Sequence, residues 1–304
     1  MAKLFLGNGM RVDSLNDLRP FVKDGKAYVS RTTERVKREE VPLPESEKGR
    51  AFLTKDDWRE YDTAIFTTIH PTWKLLRSCL DRGLFVEFEM PEDCVYHDGD
   101  DTYPLPIVSK SFIVCTRQVE QSHKAIQPIN VDVASLAAQE VAQKIDQMVF
   151  GTCEAPVYND VPLYGMCNHP NRITQTLTDP YLKDGKRNPD WSPAVFYAEV
   201  AKAEATLRNR GFEGQIGVFI AEDWDSILPS SVLKSAFVTP HALPSGTVVL
   251  CEMSPETLQI YFGIDVNLVQ WNSDNPNEVE MRVLCCIVPL IHKNHCGIVH
   301  LSAR

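Results

Sequence analysis

Apolar and polar positions change period several times along the chain, and each change predicts an element. LTKDDWREYDTAIFTTIHPTWKLLRSCLDRG (53–83) reads as helix, with Thr54 as a cap, acidic residues in the first turn and Pro71 interrupting the pattern. LFVEFEM (84–90) alternates Phe85 and Glu87 with Val86 and Phe88 and reads as a strand. PEDCVYHDGDDTYPLP (91–106) reads as a solvated acidic loop, because Asp98, Asp100 and Asp101 lack the spacing of a calcium loop. IVSKSFIVCT (107–116) is strand-like. The clearest helix follows, over 133–150: Val133, Ala137, Val141, Ile145 and Val149 recur four apart, joined by Leu136 and Met148. Asp132 is its expected cap, Gly151 its left-handed terminus, and its length roughly 27 Å.

An irregular stretch runs from 152 to 191. Ser192 then caps a helix with Pro193 at its first position, which Gly211 closes after Arg210. QIGVFIA (215–221) reads as a buried strand, and from 247 the chain is nearly all strand: TVVLCEM, TLQIYFG, DVNLVQW and EVEMRVLCCIVPLI. In the last of these, Val279, Met281 and Val283 alternate with Glu278, Glu280 and Arg282. From Leu284 both faces are apolar, as when a strand leaves a surface and enters a core. Pro289 fits only an edge or a bulge. Residues 1–50 mix both charge signs, and RTTERVKREEVPLPESEKGR (31–50) reads as an extended arm. No internal repeat is present.

Composition narrows the class. The chain has 304 residues, 43% hydrophobic and 24% charged, which suits real cores in one large domain or two smaller ones. A net charge of −10 lacks the footprint of a dedicated nucleic-acid binder. The longest apolar run, Val283 to Ile291, is far short of the roughly 18 residues of a membrane-spanning helix. The start of the chain lacks a hydrophobic stretch of signal-peptide length, so synthesis as a soluble intracellular protein is expected.

Candidate chemistry is sparse. Phosphate-loop, nucleophile-elbow and zincin patterns are missing. Nine cysteines occur without the paired spacing of a zinc ribbon or redox motif, and read as buried reduced thiols. Cys167 and His169 in MCNHPNR could form a thiolate–imidazole pair, but without an oxyanion-hole signal the turn-rich loop is the better reading. HKNHCGIVH (292–300) crowds His292, His295, Cys296 and His300 together. On an unbroken strand His292 and His300 lie roughly 26 Å apart, too far to share an ion. The stretch is expected to form a hairpin in the terminal sheet, with no catalytic residue, cofactor or metal assigned.

The ordered set of elements over 53–304 resembles a known family. LTKDDWREYD, PLPIVSKSFIVCTRQVEQ, INVDVASLAAQEVAQKIDQMVFG, LYGMCNHPNR, EATLRNRGFEGQIGVFIAEDWDSIL and YFGIDVNLVQWN resemble successive segments of encapsulin shell proteins. The resemblance implies an α+β, Hong Kong 97-type capsid fold, shared by encapsulins and tailed-phage major capsid proteins. Residues 1–52 have no counterpart in a minimal encapsulin and are read as an N-terminal arm; the resemblance implies an N-terminal helical segment (53–83) and an extended-loop region (84–106), which is short here. A peripheral domain (107–211) with a spine helix (133–150), a mainly axial domain (212–272) and C-terminal strands returning to the peripheral domain (273–304) complete it. The implied function is structural, not enzymatic: self-assembly in rings and an icosahedral lattice. The first reading is a major capsid protein around double-stranded phage DNA held without sequence-specific contacts. Portal, scaffold and decoration proteins are its expected partners, no membrane is involved, and the chain is made in the host cytoplasm for the virion. The alternative is an encapsulin-type compartment around cargo protein; a Cys/His or metal-dependent enzyme is the remote one. Cys79, Cys94 and Cys296, which flank the arm, loop and terminal-sheet regions, are the candidates for disulfides between subunits.

Overall fold

The computed structural model describes residues 53–303 apart from breaks at 70–72, 88–93, 99–100, 126, 155–156, 159–160, 183, 185, 230–236, 240–241 and 272–277; of residues 1–52 it describes the backbone of four strands. The elements, in chain order, are β1 (Leu4–Leu6), β2 (Arg11–Val12), β3 (Leu18–Lys23), β4 (Lys26–Arg31), α1 (Lys55–Ile69), α2 (Lys74–Asp81), β5 (Phe85–Glu87), β6 (Val95–Asp98), β7 (Asp101–Pro104) and β8 (Val108–Cys115). They continue with α3 (Thr116–Ala125), α4 (Asp132–Phe150), β9 (Val157–Tyr158), β10 (Val161–Pro162), β11 (Ile173–Leu177), α5 (Pro193–Asn209) and β12 (Ile216–Ala221). β13 (Phe237–Thr239), β14 (Thr247–Glu252), β15 (Leu258–Trp271), β16 (Glu278–Ile291) and β17 (Ile298–Ala303) follow.

Two sheets organise the molecule. One has the order β2-β1-β15-β16-β8, with β5 parallel to β15; the other has the order β11-β17-β14-β12-β13. In the second, β11 pairs with β17 and β12 with β13 in parallel, and the remaining ladders are antiparallel. The N-terminal part is therefore not wholly extended: β1 adds to β15, and β3 and β4 pair as a hairpin. Residues 32–50, the rest of the expected arm, lie outside the described residues.

The local signals act as expected at several ends. Thr54 Oγ1 accepts from the Asp57 N–H, and Asp57 accepts in return from the Thr54 N–H, a reciprocal cap for α1. Ser192 Oγ accepts from the Val195 N–H at the start of α5. Gly151 closes α4 with φ +69°. The alternation in β16 holds up to Val283, after which every residue is buried. The β8 ladder ends at Cys285, so Pro289 pairs only with β15 and sits at a local edge.

Other expectations are corrected. Asp132 is the first helical residue of α4 rather than its cap; Asn130 Oδ1 instead accepts from the Asp132 N–H at 2.8 Å. The buried face of α4 keeps Ala137, Val141, Ile145, Met148 and Val149 as expected but is wider and loses its first turn: Val133 and Leu136 are 40% and 60% exposed, while Ala134, Ala138 and Ala142 are also buried. The cause is that α4 is packed by α1 and also by β8 and β16, and small side chains allow both approaches. Residues 95–98 and 101–104 pair as antiparallel strands rather than forming a solvated loop: Tyr103 donates to the Ile291 carbonyl, and the Tyr96 ring lies 5.3 Å from that of Tyr261. TLQIYFG and DVNLVQW form one strand, bent by register shifts between Phe262 and Asn267. α3 escaped the pattern because Val119 is its one buried residue. β17 does not form a hairpin with β16; it enters the other sheet between β11 and β14.

The end of α4 is held by a close backbone approach. The Met166 and Cys167 N–H groups donate to the Val149 and Phe150 carbonyls at 3.1 and 2.7 Å, satisfying groups that a helix end leaves open. A Cβ on Gly165 would collide with the backbone of Gly151 and Met148, so only glycine fits there. Gly165→Ala is expected to destabilise the chain by about 2–3 kcal/mol or more, measured by chemical denaturation. Asp146, buried on α4, has its carboxyl pushed up by burial to about 8. A raised carboxyl stabilises the fold below its unfolded pKa and loses that contribution as pH rises toward 8. Asp146→Asn is therefore expected to raise stability at pH 8 and to remove a slope of up to about 1.4 kcal/mol per pH unit, read from denaturation curves between pH 4 and 9.

Candidate functional site: the junction between the sheets

The chain passes between the sheets through two short links, 253–257 from β14 to β15 and 292–297 from β16 to β17. Glu252, buried at the end of β14, ties them together. Its carboxylate accepts from the Gly214 N–H at 2.8 Å, the Thr257 hydroxyl at 2.7 Å and the Ser254 hydroxyl at 3.0 Å, with His295 Nε2 3.7 Å away. Burial pushes the Glu252 pKa up, but the donors from Thr257, Gly214 and Ser254 and the His295 imidazole outweigh it, leaving the carboxyl below its ordinary value. Sequence reading missed this residue. The signal was an acid ending an apolar strand, with hydroxyl donors two and five positions later.

The structure brings the two Cys/His motifs side by side. β11 runs parallel to β17, with Thr174 beside His300, and the Asn171 side chain donates to the Lys293 carbonyl at 2.6 Å. Arg172 lies near Cys167, Cys296 and His300, and its Nη1 donates to the His169 carbonyl. His169 is buried, with Nδ1 accepting from the Asn171 N–H. Burial pushes the Cys167 thiol up to about 12 and the Cys296 thiol to about 11, against the opposing pull of Arg172. Thiols so raised stay protonated at neutral pH and are poor nucleophiles. The cluster packs; it is not set up to attack a substrate.

The histidines of 292–300 divide between partners. His292 Nδ1 lies 3.8 Å from Asp98 Oδ2, and His295 Nε2 lies 3.6 Å from Glu256 Oε2. His300 projects from β17, its pKa lowered by burial and by Arg172. Among the described residues, no group of three such side chains is gathered to hold a metal. Of the disulfide candidates, Cys79 and Cys296 are buried and Cys94 is half-buried. Cys79 and Cys296 both lie near Cys251 in the interior, and all nine thiols are free in this chain. No helix among the described residues is long and apolar enough to cross a membrane.

Large apolar side chains remain on the outside. Leu136 and Val133 face outward from α4, Ile113 from β8, Phe66 from α1, and Tyr181 and Leu182 from the loop after β11. Surfaces of this kind suit contacts with other chains.

No protein-family model and no curated protein matches the chain. Solved structures do. A subunit of the virus-like particle from Pyrococcus furiosus superposes with a TM-score of 0.58 at 16% identity, covering 80% of this chain and 98% of that one. Phage and encapsulin shells are more distant: the capsid of Myoviridae phage XM1 matches at 0.46 and 11% identity over 67% of this chain and 75% of that one. The holo-SrpI encapsulin complex from Synechococcus elongatus matches at 0.47 and 11% identity over 78% and 88%. The chain thus shares its α+β fold with the subunit of that virus-like particle.

Replacing Glu252 with alanine strands a buried N–H and two hydroxyls. Glu252→Ala is expected to cost about 3 kcal/mol or more. Because the carboxyl is held below its ordinary value, its contribution is present at neutral pH and lost as the medium is acidified; the wild-type and variant unfolding curves should converge toward pH 3.

Proposed function

We propose that this chain is a structural subunit that assembles with copies of itself into a closed icosahedral shell, as the major capsid protein of a tailed phage enclosing double-stranded DNA. The observation that carries the reading is the superposition over 98% of a virus-like-particle subunit. The junction is in keeping with it: its polar groups hold the links between the two sheets, and its Cys167 and Cys296 thiols are buried with their pKa values pushed up.

On this reading the six-stranded sheet with α4 as spine is the peripheral lobe, and the five-stranded sheet with α5 is the axial lobe. On the same reading β15 goes with the first lobe and β17 with the second, following the sheets they join. Residues 1–52 are, again on this reading, the arm and 84–106 the loop region through which each copy would reach its neighbours. Portal, scaffold and decoration proteins are proposed partners, and DNA is held without sequence-specific contacts, in keeping with a net charge of −10. The subunit is made in the host cytoplasm and ends in the virion. Among the cysteines, Cys94 alone of the three candidates keeps surface for a bridge to another copy.

Electron microscopy of purified, nuclease-treated material tests the reading. Icosahedral particles protecting long double-stranded DNA are the expected result. Shells filled with protein in place of DNA would shift the assignment to an encapsulin-type compartment, and the absence of any closed particle would remove the shell reading.

A further inference from the structure

His292 and His295 lie on the second link, and carboxylates from three other pieces of chain stand against them. His292 Nδ1 is 3.8 Å from Asp98 Oδ2, at the end of β6. His295 Nε2 is 3.7 Å from Glu252 Oε2, at the end of β14, and 3.6 Å from Glu256 Oε2, on the first link. These separations exceed a hydrogen bond yet lie where opposite charges attract. An open cleft of about 610 Å³ runs beside these groups, with Tyr96, Asp98, Glu256, His292 and His295 in its walls.

The other charged and titratable groups around the link are held apart from these carboxylates. The Phe212 ring packs on His295 with centroids 4.7 Å apart. Arg208 reaches the turn that carries Phe212, where its Nη1 donates to the Phe212 and Gly214 carbonyls, and its Nη2 pairs with Glu204 at 3.3 Å. Arg82 donates to the Ser78 carbonyl and the Gln215 side chain, and Arg172 to the His169 carbonyl. The Tyr96 phenol is pushed up by burial and by Asp98, so it stays neutral. Lys293 and Glu213 adjoin His292 and Phe212 in sequence. Among the described residues, only the two imidazoles can set positive charge within ion-pair distance of Asp98, Glu252 or Glu256.

We propose that the second link is a pH-operated latch on the junction: acidification charges His292 and His295, and the charged rings draw Asp98, Glu252 and Glu256 inward so that the cleft narrows. Imidazoles change charge between about pH 5 and 8, while carboxylates in general stay ionised down to about pH 4. The latch therefore tightens as pH falls from about 7.5 to about 5.5 and slackens as pH rises. Its sign is opposite to that of the Glu252 hydrogen bonds, which are lost only on further acidification. The device belongs to the single chain and stands whether or not copies assemble.

Hydrogen exchange at Glu252 and Gly297 reads the latch, because both N–H groups are bonded at the links: Glu252 to the Gly297 carbonyl at 2.9 Å and Gly297 to the His295 carbonyl at 3.2 Å. Corrected for the intrinsic pH dependence of exchange, their protection in the full chain is expected to rise about fivefold between about pH 7.5 and about pH 5.5. His292→Gln combined with His295→Gln removes the charge change and is expected to abolish the rise. Asp98→Asn combined with Glu256→Gln, at side chains 41% and 80% exposed, is expected to remove more than half of it. Protection that does not rise in the wild type, or a rise that survives loss of both histidines, overturns the latch. Should circular dichroism show the histidine variant unfolded, a full wild-type rise in the Asp98 and Glu256 variant overturns it instead.

Discussion

A carboxylate cannot stay ionised in a dry junction without donors around it, and the arrangement of the two sheets depends on how Glu252 meets that demand. Its donors come from three separate pieces of chain: the turn before β12, the first link and, at longer range, the second. Meeting the demand fixes where those pieces sit. The Glu252 N–H also donates to the Gly297 carbonyl, so backbone and side chain of one residue hold both links. A buried charge is weak evidence for net stability, because desolvation offsets much of what the hydrogen bonds return. Its effect is better described as geometric: it selects one relation between lobes whose apolar faces alone would tolerate several.

The other organising feature is the helix end at Gly151. There the chain leaves α4 and folds back so closely that two glycines face each other. The segment that follows supplies the N–H groups that the helix lacks, then leads directly into β11. One backbone contact therefore connects the spine of the first sheet to an outer strand of the second. The two Cys/His motifs belong to this path. They crowd together because the backbone passes there, and burial leaves their thiols inert.

Much of this was legible in the sequence where one residue determines the outcome. Thr54, Ser192 and Gly151 act through their own side chain or backbone freedom, and each is found where its chemistry places it. Alternation located β16 because one half faces a surface. Legibility fails where the deciding partner is distant. The widened buried face of α4 depends on α1 and the sheet pressing from two sides, which apolar spacing alone does not encode. Residues 95–104 look polar, yet Tyr96 and Tyr103 dock on Tyr261 and Ile291, more than 150 positions away. The fate of β17 is decided by β11 and β14, and its own pattern fits either sheet. Glu252 was overlooked for the same reason, since only part of its donor set is local.

The position of β17 bears on timing. It occupies an inner place between β11 and β14, yet it is separated from β11 by 120 residues or more of chain. Until residues 298–303 have left the ribosome, β11 and β14 have no strand to join them, and the second sheet stays divided. Pairings across such sequence separations form late. A nascent chain therefore carries the residues of α4 long before it carries a complete second sheet.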